Sequence, residues 1–374
     1  FGRAAWILDD IRPLREVAKT SGKVLEQDFA LFDAPNAYLA EYRSVDGIRF
    51  AADGEFIGDN KGSAATMSIW VKPEEEVDDE NSLKSSRKEN MSMSSNRRGA
   101  MIEGEGKGEE RMDMEDEKEE KKKRPEKVKF QVFNGAGDTI RTFSTKVDTG
   151  LNRVTWNLRH DGVRFPSRRE AKPDTDMPSG YEVRPGEYKV VAHFGDWKDS
   201  TMVNVQYDPR LDEKAVNFEV REQAYKDYYE TVETAAKGFD QLQKVSKTIS
   251  LVEKALAHAA DSTLQQIKEQ GKELKKRVAE LEKLYMQPEG MKGIQRTSDN
   301  LNSTLYSVSS YLGSIQTRPT QAVRLLMERA KEEVTDVVGQ VNEFVQNDFA
   351  DYQKAVEAVE YSLFEPLEVI ELKD

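Results

Sequence analysis

The first alternating stretch of the chain is Thr66-Met67-Ser68-Ile69-Trp70-Val71, which stops at Pro73 and has the two-residue period of a strand with one face turned inward. The period returns at Val128, Phe130 and Val132, which interleave with Lys127, Lys129 and Gln131. Asn134-Gly135-Ala136-Gly137-Asp138 reads as a hairpin loop leading into Thr139-Ile140-Arg141-Thr142-Phe143. Val154, Trp156 and Leu158 form another apolar row against Arg153, Thr155, Asn157 and Arg159. Pro185-Gly186 makes a turn before the row Tyr188, Val190, Ala192 and Phe194, and Thr201 to Tyr207 supplies a further strand. Five or six short strands punctuated by turns predict an immunoglobulin-like β-sandwich within residues 63–210, with Trp156 as its core plug.

Asp208-Pro209-Arg210 closes this region, and the period lengthens to three or four. Tyr225, Tyr228, Val232, Ala235, Phe239, Leu242, Val245, Ile249, Val252 and Leu256 make one apolar helix face. A second helix, capped by Asp261 or Ser262, carries Leu264, Ile267, Leu274, Val278, Leu281 and Leu284 until Pro288-Glu289-Gly290 breaks it. A third carries Leu301, Leu305, Val308, Leu312 and Ile315. Thr317-Arg318-Pro319 opens a fourth, with Pro early in the helix and a stripe from Val323 through Leu326, Ala330, Val334, Val337, Val341 and Phe344 toward Val359. Short connections between such helices predict an antiparallel up-and-down helical bundle over residues 211–365.

Two stretches fit neither pattern. Ala4-Ala5-Trp6-Ile7-Leu8 closed by Asp9-Asp10 suits a buried strand, and a lone strand needs partners, which are expected in sequence preceding Phe1. A first residue that is Phe rather than Met fits a fragment or processed product. Residues from Ile11 to about Gly62 read as a connector, so 1–62 is expected to be the end of an upstream unit plus a link. Residues 74–126 are dominated by Glu, Lys, Arg, Ser, Met and Gly, too little apolar area to offset the entropy of ordering, and they predict a disordered charged insert in the β region. The fold class expected is therefore α+β and multidomain.

Composition narrows the functions. At 374 residues the chain exceeds the reach of one growing core. A formal net charge of -13, with Lys and Arg interleaved among Glu and Asp, weighs against nucleic acid. No apolar run is long enough to span a bilayer, and FGRAAWILDD lacks the segments of a signal peptide. With no cysteine there are no disulfides or thiolate sites, and the three histidines, His160, His193 and His258, are too widely spaced for a His-rich metal centre.

Each candidate site has a plainer reading. Asp9 and Asp10 could bind a cation or act as a carboxylate pair, but neighbours on a strand point to opposite faces, so they read as turn and cap residues. His160-Asp161 with His193 suggests acid–base chemistry but has no nucleophile motif, and reads as surface turn. Gly104-Glu105-Gly106-Lys107-Gly108 has the glycines of a phosphate loop without its strand, helix or Lys-Ser/Thr ending. Met91, Met93, Met101, Met112 and Met114 lack a scaffold to fix metal geometry. The cluster Lys121-Lys122-Lys123-Arg124, suited to an anionic polymer or headgroup, is offset by the acids of 115–120. Tyr225, Tyr228 and Tyr229 with Trp197 could form a sugar platform, but helical spacing puts the tyrosines in the bundle seam. No catalytic, cofactor-binding or metal-ligating residue is therefore assigned, and no cofactor is expected.

The string Gly2-Arg3-Ala4-Ala5-Trp6-Ile7-Leu8-Asp9-Asp10-Ile11-Arg12-Pro13-Leu14 resembles the closing blade of bacterial sortilin-like propeller proteins, an exported family with BNR or WD40-like repeats often labelled glycosyl hydrolases. LFDAPNAY (31–38), GLNRVTWNLRHDG (150–162), RPGEYKVV (184–191), YDPRL (207–211) and RPTQA (318–322) look like the part of that family that follows the propeller. The resemblance implies a propeller before Phe1, of which 1–62 holds the last strand and connector, then a sandwich similar to the fold-back domain of flagellar hook-capping proteins, then a bundle. It also implies export to the periplasm, surface or medium. The 74–126 insert departs from the family pattern. Two functions follow as expectations: a non-catalytic scaffold that buttresses the propeller and binds protein partners, in an envelope or surface complex, or the accessory region of a hydrolase whose active site lies on the propeller. Self-assembly as a subunit of an envelope complex is a third.

Overall fold

The computed structural model describes residues 8, 10–40, 64–73, 127–170, 172, 175–210, 216–256, 262–288, 290, 300–315 and 318–359, and they form a mixed α+β structure. The expected N-terminal strand, the 74–126 insert and the Asp261 cap lie outside the described residues.

Pro13 sits in the first turn of helix α1 (Arg12–Lys19), where its missing N–H costs nothing, and the Asp10 carboxylate accepts from Arg12 N at 3.0 Å. A short 3₁₀ turn, Lys23–Glu26, packs Val24 with Ala30 and Phe32, and Leu25 O accepts from Trp70 Nε1 at 3.2 Å. Two strands follow inside the stretch expected to be a connector. Strand β1 (Phe29–Leu31) pairs antiparallel with β3 (Ala65–Val71), Phe29 opposite Val71. Strand β2 (Ala37–Leu39) pairs in parallel with β10 (Trp197–Tyr207), Ala37 opposite Val205. The connector reading is corrected here: residues 29–39 belong to both sheets of the β region. Three-residue strands in a polar sequence give almost no period to read, and their partners are remote in sequence.

The remaining strands are β4 (Lys127–Phe133), β5 (Thr139–Lys146), β6 (Gly150–Trp156), β7 (Arg159–Asp161), β8 (Ser179–Glu182) and β9 (Gly186–Phe194). One sheet has the order β1-β3-β6, a second β2-β10-β9-β4-β5, and β7 and β8 make a separate pair. The inner faces of the two larger sheets share one core, in which Met67, Ile69, Phe130, Trp156, Val190 and Phe194 are buried. Each such side chain contributes about 1.5–3 kcal/mol. Trp156 is the expected plug, and its Nε1 donates to Arg159 O at 3.0 Å. Leu158, at φ 56, turns the chain out of β6 into β7 while staying buried. The Asn134 carboxamide closes the predicted hairpin, its Oδ1 accepting from Ala136 N and Asp138 N.

The helices are α2 (Phe218–Ala255), α3 (Ser262–Tyr285), α4 (Leu301–Ser314), α5 (Gln321–Phe344) and α6 (Ala350–Glu357), the last two continuous through a π turn at Val345–Phe349. Asn217, Asn300 and Thr320 cap α2, α4 and α5 through their side-chain oxygens. Pro319 therefore precedes the cap of α5, a correction to its expected place within the helix: Thr320 supplies the acceptor that Pro319 cannot. The predicted stripes are the buried ones, from Val232, Phe239, Leu242 and Ile249 on α2 to Val334, Val341 and Phe344 on α5. Helices α3, α5 and α6 add Tyr285, Ala330 and Tyr352 to the same core.

The Tyr285 hydroxyl is buried without a hydrogen-bond partner and lies over Gly238 of α2, where a Cβ would come within 2.6 Å of the oxygen and 3.0 Å of Val338 Cγ2. Gly238→Ala is expected to destabilise the chain by about 1–2 kcal/mol, because overpacking exceeds the roughly 1 kcal/mol of helix propensity gained. Tyr285→Phe loses no partner and is expected to be neutral or slightly stabilising, and in that background most of the alanine cost should vanish. Urea unfolding of the four combinations reads this coupling; strictly additive effects would show that the hydroxyl does not press on Gly238.

Candidate functional site

Among the described residues a cluster of polar and aromatic side chains lies where the short pair β7–β8 meets α2. Alternation on β8 sends Tyr181 away from the sheets, and its ring packs face to face against His160 of β7 at 4.3 Å and Tyr225 of α2 at 4.8 Å. Tyr229, one turn beyond Tyr225, meets both tyrosines at 5.7 and 6.0 Å. Tyr228 points further inward and donates from its hydroxyl to Leu305 O of α4 at 2.6 Å. Gly180 is required by the close approach: a Cβ there would meet Asp161 O at 2.6 Å and the Tyr229 hydroxyl at 3.0 Å. Tyr181 and Val163 thereby belong to the helical core although they come from the β region.

Ion pairs ring the stack. Arg221 of α2 donates to Glu182 of β8 at 3.1 Å, and its guanidinium lies 5.9 Å from the centre of the Tyr225 ring. Arg184 pairs with Glu222, which also takes Lys226 at 2.8 Å. Below β7, Arg141 is buried and donates to Asp161 Oδ1 at 2.8 Å, Met177 O at 2.9 Å and Pro178 O at 3.0 Å, while Asp161 Oδ2 accepts from Thr142 N. The loop after β7 runs along the helices: Phe165 stacks on Tyr306 at 4.4 Å, Arg164 pairs with Asp240, and Arg168 donates to Gln287 O at 2.9 Å.

This environment sets the protonation states. Burial drives His160 down to about 4, with Lys226 and Arg184 adding to the shift and Glu222 opposing it, so the imidazole is neutral at pH 7. Burial lifts Tyr181 and Tyr225 above the usual phenol range and Tyr229 to about 12, keeping all three protonated. Burial also raises Asp161, against the pull of Arg141 and the Thr142 N–H. Glu222 is pushed up by burial but held below its usual value by Lys226 and Arg184. General acid–base catalysis favours a group that titrates near the operating pH; here rings are neutral and carboxylates are paired. The arrangement suits mechanical coupling of sheet to helix.

The candidates weighed from the sequence are distributed as follows. Asp10 accepts from Arg12 N just ahead of α1, whose N-cap is Ile11, while Asp9, Gly104 to Gly108, the five methionines and Lys121 to Arg124 lie outside the described residues. His160 and Asp161 are not the surface turn expected of them. They sit on β7, half buried, because Tyr181 covers one and Arg141 holds the other. His193 is in a different sheet, on β9, hydrogen-bonded to Gln131 at 3.1 Å. Tyr225 and Tyr228 are buried in the helical core, and the exposed Trp197 stacks on Phe194 of β9 at 5.8 Å, so no tyrosine–tryptophan platform forms. Sequence reading missed Arg141, Tyr181, Glu182, Arg221 and Glu222. For Arg141 a signal existed: it shares strand parity with Phe143, which stacks on Phe130 at 5.1 Å.

Among the described residues no group of three or more His, Asp or Glu is placed to hold a metal ion, and no helix is long and apolar enough to cross a membrane. No family model, curated protein or solved structure matches the chain.

Between pH 6.5 and about 4 the unfolded chain binds a proton at His160 that the folded chain refuses, so stability falls as pH drops through that window. The slope from this group is at most about 1.4 kcal/mol per pH unit. His160→Phe, which keeps the ring stack, is expected to flatten the profile in that window; urea unfolding at stepped pH measures it, and an unchanged slope would refute the assignment.

Arg141→Met should behave with the opposite sign. Without the cation, folded Asp161 holds its proton more tightly than unfolded Asp161, so the variant loses stability relative to wild type as pH rises from about 4 to 7, by about 2–4 kcal/mol at neutrality. Adding Asp161→Asn should restore part of the loss at pH 7 and little at pH 4.

Proposed function

We propose that this chain is a non-catalytic scaffold segment that holds modules in fixed relation and presents a protein-binding surface. The observation that carries the reading is the Tyr181 stack: the most elaborate cluster of rings and charges in the described residues joins β-sheet to helix. In this reading the two larger sheets are an immunoglobulin-like sandwich and the helices an up-and-down antiparallel bundle, supported by the shared sheet core and the single helical core. The N-terminal residues complete a propeller of the sortilin-like, BNR/WD40-like class, and the protein is exported. These two points rest on the resemblance of residues 2–14 and of the motifs further along the chain.

A scaffold must resist independent motion of its halves, and this is measurable. Trp70, Trp156 and Trp197 lie on β3, β6 and β10 and no tryptophan falls in α2 to α6, so their fluorescence follows the β region while circular dichroism follows the helices. The two urea transitions are expected to coincide in the wild type and to separate in Tyr181→Ala, which removes the central ring of the stack. Independent transitions in the wild type would sink the rigid-scaffold reading. Chromogenic glycosides and peptides incubated with the chain are expected to release no product above a buffer blank. Turnover abolished by one substitution within the chain would instead favour a hydrolase.

A further inference from the structure

The sheet β2-β10-β9-β4-β5 buries one face in the core; the other carries a charge pattern at odds with a chain of net charge -13. Register sets Lys127 opposite Lys146, Lys129 opposite His193, His193 opposite Lys198, and Lys189 opposite Phe133 and Met202. These residues alternate with buried Val128, Phe130, Val190 and Ala192, so they share the outward face. All five lysines are exposed and His193 is half buried. Among the described residues none of the five lysines has an ion-pair partner. His193 is lowered by burial and then by Lys198 and Lys129, with no carboxylate acting on it.

Like charges directly across a strand pair are destabilising, and here they recur in adjacent rows. Protection of a sheet edge explains Lys146 on the outermost strand β5 and Lys198 on the stretch of β10 that β2 does not reach, but not Lys129 and His193 on the interior strands β4 and β9. The nearby acids do not answer them. Asp199 turns inward to accept from Leu31 N at 2.8 Å, Asp138 is bound into the hairpin turn by Asn134 Nδ2, Asp176 is engaged at Ser144, and Glu187 stands at the far end opposite Asn204.

A source of carboxylates is tethered to this face. Residues 103–120 carry ten Asp and Glu against three Lys and Arg, and six residues, four of them the basic Lys121 to Arg124 that offset part of this charge, separate them from the first lysine of β4. Six extended residues reach about 20 Å, close to the length of β4 itself. Such a tether gives an effective concentration on the order of millimolar, enough to populate a weak electrostatic contact.

We propose that the outward face of β5, β4, β9 and β10 is a docking surface for acidic polypeptide and that its occupant is the chain's own segment 103–120. With only three histidines, the ring resonances resolve by NMR, and His193→Gln assigns the one that matters. In low salt His193 is expected to titrate about 0.5 higher in the unaltered chain than in a variant whose ten acidic residues of 103–120 are replaced by Gln or Asn. The gap should close in about 0.5 M salt. His160 serves as the control for an intact fold. Identical His193 titrations in the two chains would overturn the proposal. A rise seen only when free polyglutamate is added, with the two chains otherwise alike, would also overturn it, by assigning the face to an acidic partner from outside.

Discussion

Burial of Tyr181 between His160 and Tyr225 is the contact on which the rest of the molecule depends. The pair β7–β8 is too short to stand alone, with Arg159 opposite Glu182 and Asp161 opposite Ser179. It is held from one side by the Arg141–Asp161 pair and from the other by α2, and through it two separate apolar cores become one load path. Ring burial supplies most of the cohesion, and the surrounding ion pairs set its direction. Partly exposed pairs such as Arg159–Glu182, 4.0 Å apart, are worth little by themselves but penalise any other register of β8 on α2.

Much of this was legible from residue order. The stripes on α2, α4 and α5, the β4–β5 hairpin and the inward row of β9 follow from period alone, because each has enough repeats for burial to fix its phase. The mixed α+β class follows from the change of period after Asp208. What period could not give were contacts between remote segments. Nothing in Phe29-Ala30-Leu31 names Val71 as its partner, and nothing in His160-Asp161 announces Tyr181 on one side and Arg141 on the other. Helical spacing alone puts Tyr225 and Tyr228 on the buried face of α2, yet the ring that makes them a junction, Tyr181, lies in a four-residue strand. Arg141 was missed because Ile140 beside it is also buried, which hides the parity of β5.

The two faces of the five-stranded sheet show how one backbone register serves two purposes. Alternation that sends Val128, Phe130, Val190 and Ala192 into the core necessarily lines up Lys127, Lys129 and His193 outside. Inward residues are chosen by volume. Outward ones are free to be chosen by charge, and their choice is informative because packing does not explain it.

The parallel pairing of β2 with β10 joins residues 37–39 to 205–207, and Asp199 reaches back to Leu31 across 168 positions. On a ribosome, β2 must wait for that stretch to be synthesised before its edge is covered, on the order of ten to thirty seconds at ordinary elongation rates. Helices α2 to α6, whose contacts with one another are closer in sequence, face no comparable delay. Nascent chains of this protein would therefore pass through a window in which β2 has no mate although β1 already has β3, and a holding chaperone acting on that window would matter more to yield than any stabilisation of the helical half.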